Sequence, residues 1–383
     1  MKIMNTPTSS KQNVNGQAEV IKLGLDIHAA KYVVARQIDE SPPQSPQRFT
    51  PGQFLVWVEK QTHLAKKVHC CHEAGCFGYR PHRKLEAPGV TNYVVRPRNW
   101  DEYGQKEKTD KRDAAGLLHN LDRSIAGNTR ALQPVRVPTE EEERRRSGSR
   151  QRDGLSKERK RLENQGTSAA RYYGLSLSAE WWKPKKFEKL RQELPAFFVE
   201  LIAPWQRLPL VIDEELKAAT TKLEQAGARE LPVGFGALTA AILDREIRDL
   251  DRFNNRRQVG GHTGLCPREN SSGGRHRQGG ITKHGNPKVR HVLLETVWRM
   301  FYFQPDYKPI CHWRERILKG MPLTGARKKK MAVAIARELA VDWWRIQTGR
   351  IKPGDVGLKM ALPQTPALRK WRREQQQASG AIN

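Results

Sequence analysis

The sequence is short of cysteine, of acidic residues and of long apolar runs. It has five cysteines in 383 residues, an odd number and too few for a disulfide framework. Its longest uncharged apolar-rich run, Leu231 to Leu243, falls far short of the ~20 residues a membrane span needs, which predicts no membrane partner. No apolar segment of signal-peptide type follows Met1, so a cytoplasmic location is expected. Acidic residues number 41 against 69 lysines and arginines, a formal charge of +28. A charge of that size repels itself unless a polyanion neutralises it, which points to nucleic acid. A hydrophobic share of 37% still allows a packed core and argues against wholesale disorder.

The pattern along the chain predicts several regions. Residues 1–18 read as a flexible tail. Val20 to Asp26 and Lys31 to Gln37 read as strands joined by a short hairpin link, followed by a loop over Ser41 to Gln47. A helix over Pro51 to Leu64 has Pro51 in its first turn. Lys67 to Cys71 and Val90 to Val95 are further strands, and Asp101 to Leu121 a helix. Strands that give way to alternation with helices suggest an α/β domain over 19–128.

Over 129–228 the chain reads as helical. Glu140 to Glu143 stand about four residues before Arg144, Arg145 and Arg146, a spacing that supports a solvated helix despite Gly148 and Gly154. In the stretch Pro184 to Gly227, Pro195, Pro204 and Pro209 are expected to kink or break the helix. With a turn at Trp181-Trp182, the two arms predict a central helical hairpin of coiled-coil type, a spacer or a dimerisation arm. Residues 229–348 read as a mostly helical domain with helices at Asn286 to Phe303, Cys311 to Leu318 and Arg327 to Ile346. Its turn Pro232 to Gly236 fits either a helix-hairpin-helix turn that contacts backbone phosphate or an ordinary tight turn. Residues 349–383 read as a disordered basic tail.

Two groups of residues can carry chemistry. The first is carboxylate: Asp26 at a strand end, Glu73 after a strand, and Asp110 with Asp113 three residues apart on one helix face. Converging, they suit Mg²⁺, a hard cation that takes oxygen ligands, and have room for two ions of the kind that drive phosphodiester cleavage. Scattered surface acids are the plainer alternative. The second is the glycine-rich and arginine-rich stretch from Pro267 to Gly280, with Ser271 and Ser272 as candidate nucleophiles and Arg275 and Arg277 as phosphate forks. A phosphate-contacting loop without a nucleophile fits the same residues. Lys283, Lys288 and Arg290 surround the start of the next helix and would offer cations to phosphate. The run His69, Cys70, Cys71, His72 and Cys76 lacks the second ligand pair of a zinc site.

Gly24-Leu25-Asp26-Ile27-His28, His72-Glu73-Ala74-Gly75, Lys108 to Ala114, Ser271 to Gly274 and Ile281 to Asn286 occur in this order. Together they resemble the DEDD transposases of bacterial insertion sequences, the one-hundred-and-ten family, which includes the Piv-type DNA invertases. The likeness runs from about Leu23 to Arg345, the middle helices agreeing in character only. It implies a ribonuclease H / RuvC-like first domain whose acidic tetrad, Asp26, Glu73, Asp110 and Asp113, binds Mg²⁺. It also implies a second domain whose serine attacks DNA covalently, Ser272 being favoured with Ser271 close behind. Its further implications are donor and target DNA as partners, a structured guide RNA, and a homo-oligomer, dimer or tetramer. Arg144, Arg145 and Arg146 would join the nucleic-acid contacts. A junction-resolving endonuclease using water, or an accessory protein that binds nucleic acid without chemistry, remains the alternative.

Overall fold

The structure, a computed structural model, describes residues 17–97, 109–365 and 368–369. It is a mixed α/β fold in two compact units, Met1–Thr139 and Glu140–Asn383.

In the first unit a hairpin of β1 (Ala18–Ile27) and β2 (Tyr32–Ile38) is extended by β3 (Gln47–Phe49), which begins at the last residue of the expected loop. Next come α1 (Pro51–Leu64), β4 (Ala65–Glu73), α2 (Arg80–Glu86), β5 (Thr91–Val95) and α3 (Asp110–Ile125). The sheet order is β3-β2-β1-β4-β5. Its first three strands are antiparallel, while β1, β4 and β5 run parallel. Helix α1 spans the expected residues because Thr50 and Gln53 form a reciprocal cap and Pro51 takes the first turn. Of the helix expected over 101–121, residues 101–108 lie outside the described residues. The described part starts at Asp110, where the Thr109 side chain caps the helix by accepting from the Arg112 N–H.

Strand β1 is covered on both faces, which is why it reads as nearly continuous apolar sequence. Ile21, Leu23 and Leu25 join Phe54 and Val58 of α1 in one buried cluster. On the opposite face lie Lys22, Gly24 and Asp26, under α3. There Lys22 is buried and paired with Asp122, and Ala114 and Leu118 pack with Val33 and Ala35 of β2. Glycine is required at position 24, since a Cβ would stand 2.2 Å from the Ala114 carbonyl oxygen.

The second unit starts with α4 (Glu140–Tyr172), which runs unbroken through Gly148 and Gly154. Then follow α5 (Pro184–Glu193) and α6 (Ala196–Ala226). The chain breaks at Pro195 as expected, but Pro204 and Pro209 sit inside α6 without ending it. Packing outweighs the lost helix bonds: Phe198 and Ile202 of α6 are buried against Trp181 and Trp182. Helices α4 and α6 pack antiparallel, with Arg152 Nε donating to Thr220 Oγ1 (2.8 Å) and Arg159 paired with Asp213.

The remaining elements are β6 (Leu231–Pro232), α7 (Ala237–Ile247), α8 (Arg256–Thr263), β7 (Pro267–Glu269), β8 (Gln278–Ile281), α9 (Pro287–Phe303), α10 (Lys308–Leu318), α11 (Gly325–Gln347) and β9 (Met360–Ala361). Leu243, Val289, Leu293, Met300, Ile335 and Leu339 belong to their shared core. The region expected to be a disordered tail is ordered in its first part. Pro353–Val356 form a 3-10 turn, Leu358 is buried, and β9 pairs antiparallel with β6. The local composition there is polar and Pro-rich, so the distant partner strand that orders it leaves no local signal. Residues 370–383 of that tail lie outside the described residues. Among the described residues no helix is long and apolar enough to cross a membrane.

Candidate active site

A cleft of about 290 Å³ in the first unit is lined by Asp26, His28, Glu73, Thr109, Asp110, Asp113 and Leu117. The four carboxylates come from three elements. Asp26 is near the carboxyl end of β1 and Glu73 ends the parallel neighbour β4. Asp110 and Asp113 occupy the first turn of α3, where negative charge is favoured by the helix dipole. Asp26 and Asp113, far apart in sequence, thus face one cleft because β1 and β4 are adjacent and α3 packs against both.

Two residues that the carboxylate pattern did not single out belong to the same cleft or touch it. His28 Nε2 lies 3.0 Å from Asp26 Oδ2 and 3.4 Å from Asp110 Oδ1. Lys31 Nζ lies 2.8 Å from Asp110 Oδ2. The Lys31 hydrogen bond, more than any other contact, holds the Asp110 carboxyl below its usual range. His28 had a sequence signal: it stands two residues after Asp26, and alternate residues of an extended chain share a face.

The donor set fits a divalent cation. One ligand atom each from Asp26, His28 and Asp110 lies within 4.8 Å of the other two. Carboxylate oxygens suit hard cations, and the Lys31 ammonium already sits where a positive charge is favoured. The neighbouring cysteines differ in kind. Cys70 and Cys71 are both fully buried, and burial pushes both thiols up, away from the thiolate form that a metal would take. His72 is also buried, which lowers it to about 4, and its Nδ1 lies 3.1 Å from the Glu73 carbonyl oxygen.

In the second unit, β7 and β8 form an exposed hairpin with Ser271, Ser272, Arg275 and Arg277 at its outer end. Its ladder continues past the strands. The Asn270 N–H donates to the Arg277 carbonyl (2.9 Å), and Ser272 and Arg275 exchange backbone hydrogen bonds of 3.2 and 3.0 Å. Gly273 and Gly274 form the tip at φ +55 and +79. Left-handed φ at both central residues is what a type I′ turn demands, so these glycines have a conformational reason independent of any ligand. Ser271 Oγ donates to Glu269 Oε1 at 2.8 Å.

The other cations read as phosphate-facing are placed differently. Lys283 is exposed at the base of the hairpin, with φ +59. Lys288 Nζ lies 2.8 Å from Asp153 Oδ2, and Arg290 Nη1 donates to the Thr263 carbonyl at 3.0 Å. Arg144 and Arg145 pair along α4 with Glu140 and Glu141, and Arg146 is half-buried.

Comparison with known proteins bears on all of this. Residues 230–309 match the model of the transposase IS116/IS110/IS902 family. The chain is 32% identical over 314 residues to the putative transposase y4rJ of Sinorhizobium fredii (strain NBRC 101917 / NGR234), covering 74% of this chain and 78% of that protein. It is 25% identical to the transposase for insertion sequence element IS1111A of Coxiella burnetii (strain RSA 493 / Nine Mile phase I), over 74% of this chain and 78% of the relative. With the transposase for insertion sequence element IS1328 of Yersinia enterocolitica it shares 26% identity, over 70% and 79%. A match to that family's model, with 32% identity to a transposase over 78% of its length, makes this chain a member of the IS116/IS110/IS902 family of transposases.

Proposed function

We propose that this protein cuts and rejoins DNA strands of an insertion sequence, using a metal-binding acidic cleft and a nucleophilic serine. The observation that carries the reading is the single cleft lined by Asp26, Glu73, Asp110 and Asp113. These residues would hold one or two Mg²⁺ ions. Bound there, the metal supplies Lewis-acid stabilisation of charge on the phosphate. A five-stranded mixed sheet with carboxylates at the ends of two parallel strands supports a ribonuclease H / RuvC-like first domain.

Ser272, with Ser271 as the neighbouring candidate, forms the covalent link. Its oxygen bonds to phosphorus as the bond to a deoxyribose oxygen breaks. The proton lost by the serine is balanced by one gained by the leaving oxygen, and reversal of the step reseals the strand. Arg275 and Arg277, exposed beside the serines, bind the phosphate oxygens and stabilise their charge. Lys283 extends this basic face, while Lys288 and Arg290 act at the helix start through the contacts that hold it.

The charge of +28 supports DNA and a structured guide RNA as partners. The antiparallel packing of α4 and α6 supports a central helical hairpin, coiled-coil-like, for subunit contact in a dimer or tetramer and for RNA, with Arg144, Arg145 and Arg146 at its start. The turn before α7 would serve as the helix-hairpin-helix-like element. A second reading, junction cleavage by water, is favoured by the tip glycines, whose turn geometry needs no nucleophile to explain it.

The test is expression with native flanking DNA and amplification across joined element ends, comparing wild type, Asp110→Asn and Ser272→Ala. Product in wild type alone supports recombination through both sites. Product that survives Ser272→Ala rejects that serine as the sole nucleophile and favours Ser271.

A further inference from the structure

We propose that His28 is itself a ligand in the acidic cleft, and that its imidazole tilts the cleft toward cations that accept nitrogen, Mn²⁺ over Mg²⁺. The inference rests on the metal-binding reading of that cleft.

Three observations carry it. First, His28 Nε2 stands 3.0 Å from Asp26 Oδ2 and 3.4 Å from Asp110 Oδ1, so the ring nitrogen points between two carboxylates drawn from different elements. One ligand atom from each of the three residues falls within 4.8 Å of the other two, a span that one ion can bridge. Second, the backbone fixes the residue. The His28 N–H donates to the Lys31 carbonyl at 3.0 Å, closing the turn between β1 and β2. The imidazole is therefore carried by the same strand end as Asp26, rather than by a separate loop. Third, Asp110 divides its oxygens. Oδ2 is taken by the Lys31 ammonium at 2.8 Å, while Oδ1 faces His28. The lysine neutralises part of the cleft's charge from outside and leaves the inward oxygens grouped around the histidine.

The chemical consequence is selectivity. Mg²⁺ favours six oxygens in a near-ideal octahedron and keeps several waters. Imidazole is a ligand for transition cations, and affinity for nitrogen-bearing sites rises along the first-row series. A carboxylate set with one imidazole therefore accepts Mg²⁺ but binds Mn²⁺ more tightly than oxygens alone would. A histidine that merely hydrogen-bonded the two carboxylates would leave the preference between the two cations unchanged.

The experiment uses the full chain loaded with Mn²⁺. Pulsed electron paramagnetic resonance reads nitrogen coupling to the ion, and binding isotherms read affinity for Mn²⁺ directly and for Mg²⁺ by competition. Wild type, His28→Ala and Asp26→Asn are compared, with circular dichroism melts to confirm that each is folded. The expected result is ¹⁴N coupling in wild type that vanishes in His28→Ala, with Mn²⁺ affinity down about tenfold and Mg²⁺ affinity much less affected. Coupling that persists in His28→Ala, or equal losses for both cations, overturns the inference. If Asp26→Asn abolishes Mn²⁺ binding while His28→Ala keeps the wild-type preference, the acidic-cleft reading stands and the role of His28 falls. If Asp26→Asn binds Mn²⁺ as wild type does, the cleft reading falls and takes the inference with it.

Discussion

A Cβ on Gly24 would lie 2.4 Å from the backbone nitrogen of Leu118, so β1 and α3 meet there with no side chain between them. Asp26 lies two residues further along β1, and Asp110 about two turns earlier along α3. The close crossing at Gly24 therefore sets the spacing of the carboxylates in the cleft.

Gly24→Ala is expected to push α3 off the sheet. Overpacking of this kind costs about 1–3 kcal/mol, and here the two nearest obstructing atoms are backbone and cannot rotate away. Urea denaturation should show the loss in midpoint, and Mn²⁺ affinity should fall in the same variant. A variant with unchanged midpoint and affinity would contradict the proposed control of the cleft by this crossing.

Asp110→Asn and Asp26→Asn are each expected to lower strand joining by about a hundredfold or more, the scale seen when groups that stabilise transition-state charge are removed. Chelation should arrest the wild-type protein, and added Mg²⁺ should restore it. Quantitative amplification of joined ends reads both effects. Joining that is insensitive to chelator would count against metal-assisted chemistry.

The serine assignment is expected to appear as a protein–DNA adduct on a denaturing gel, present in wild type and absent in Ser272→Ala. Ser271 is engaged with Glu269, so Ser271→Ala should retain the adduct. The reverse pattern would move the nucleophile by one residue. Gly274→Val places a β-branched residue at φ +79 and should weaken adduct formation through the hairpin tip alone.

Tyr307→Phe is expected to destabilise the second unit by about 1–3 kcal/mol, because Tyr307 Oη donates to the buried carboxylate of Asp342 at 2.7 Å. Burial raises Asp342, and the tyrosine hydrogen bond opposes that rise. The folded carboxyl thus holds a proton more readily than the unfolded one. Its contribution is full below the unfolded value and declines as pH rises through the folded value. Without the tyrosine donor the folded value climbs further, so the melting temperature should drop more at pH 7 than at pH 4.5. Equal drops at both pH values would deny the coupling between the two residues.

Several elements were legible from local pattern because their signals are local. Helix α1 runs over the expected Pro51 to Leu64, with both cap residues and the proline adjacent in sequence. Strands β1, β4 and β5 and helices α9 to α11 carry apolar residues at the right period. Strand β3 was not legible, being three residues on a sheet edge, and α2 has a polar sequence whose first turn contains a proline. The unbroken course of α6 through Pro204 and Pro209 also escaped, since the compensating contacts come from Trp181 and Trp182 outside that helix.

Sequence by itself determined the strongly basic character, the ordered blocks that mark the transposase family, and the identity of the four acids and two serines. Those properties reside in residue types and short spacings. Tertiary structure decided that Asp26, Glu73, Asp110 and Asp113 share one cleft, that His28 and Lys31 both reach Asp110, and that Lys288 and Arg290 are tied to Asp153 and Thr263. It also decided that Leu358 and β9 are packed rather than trailing. Each of these depends on which strand lies beside β1 and which helix crosses it, or on a partner far away in the chain. Such contacts are selected by the burial of surfaces that meet only on folding, and no window of neighbouring residues encodes them.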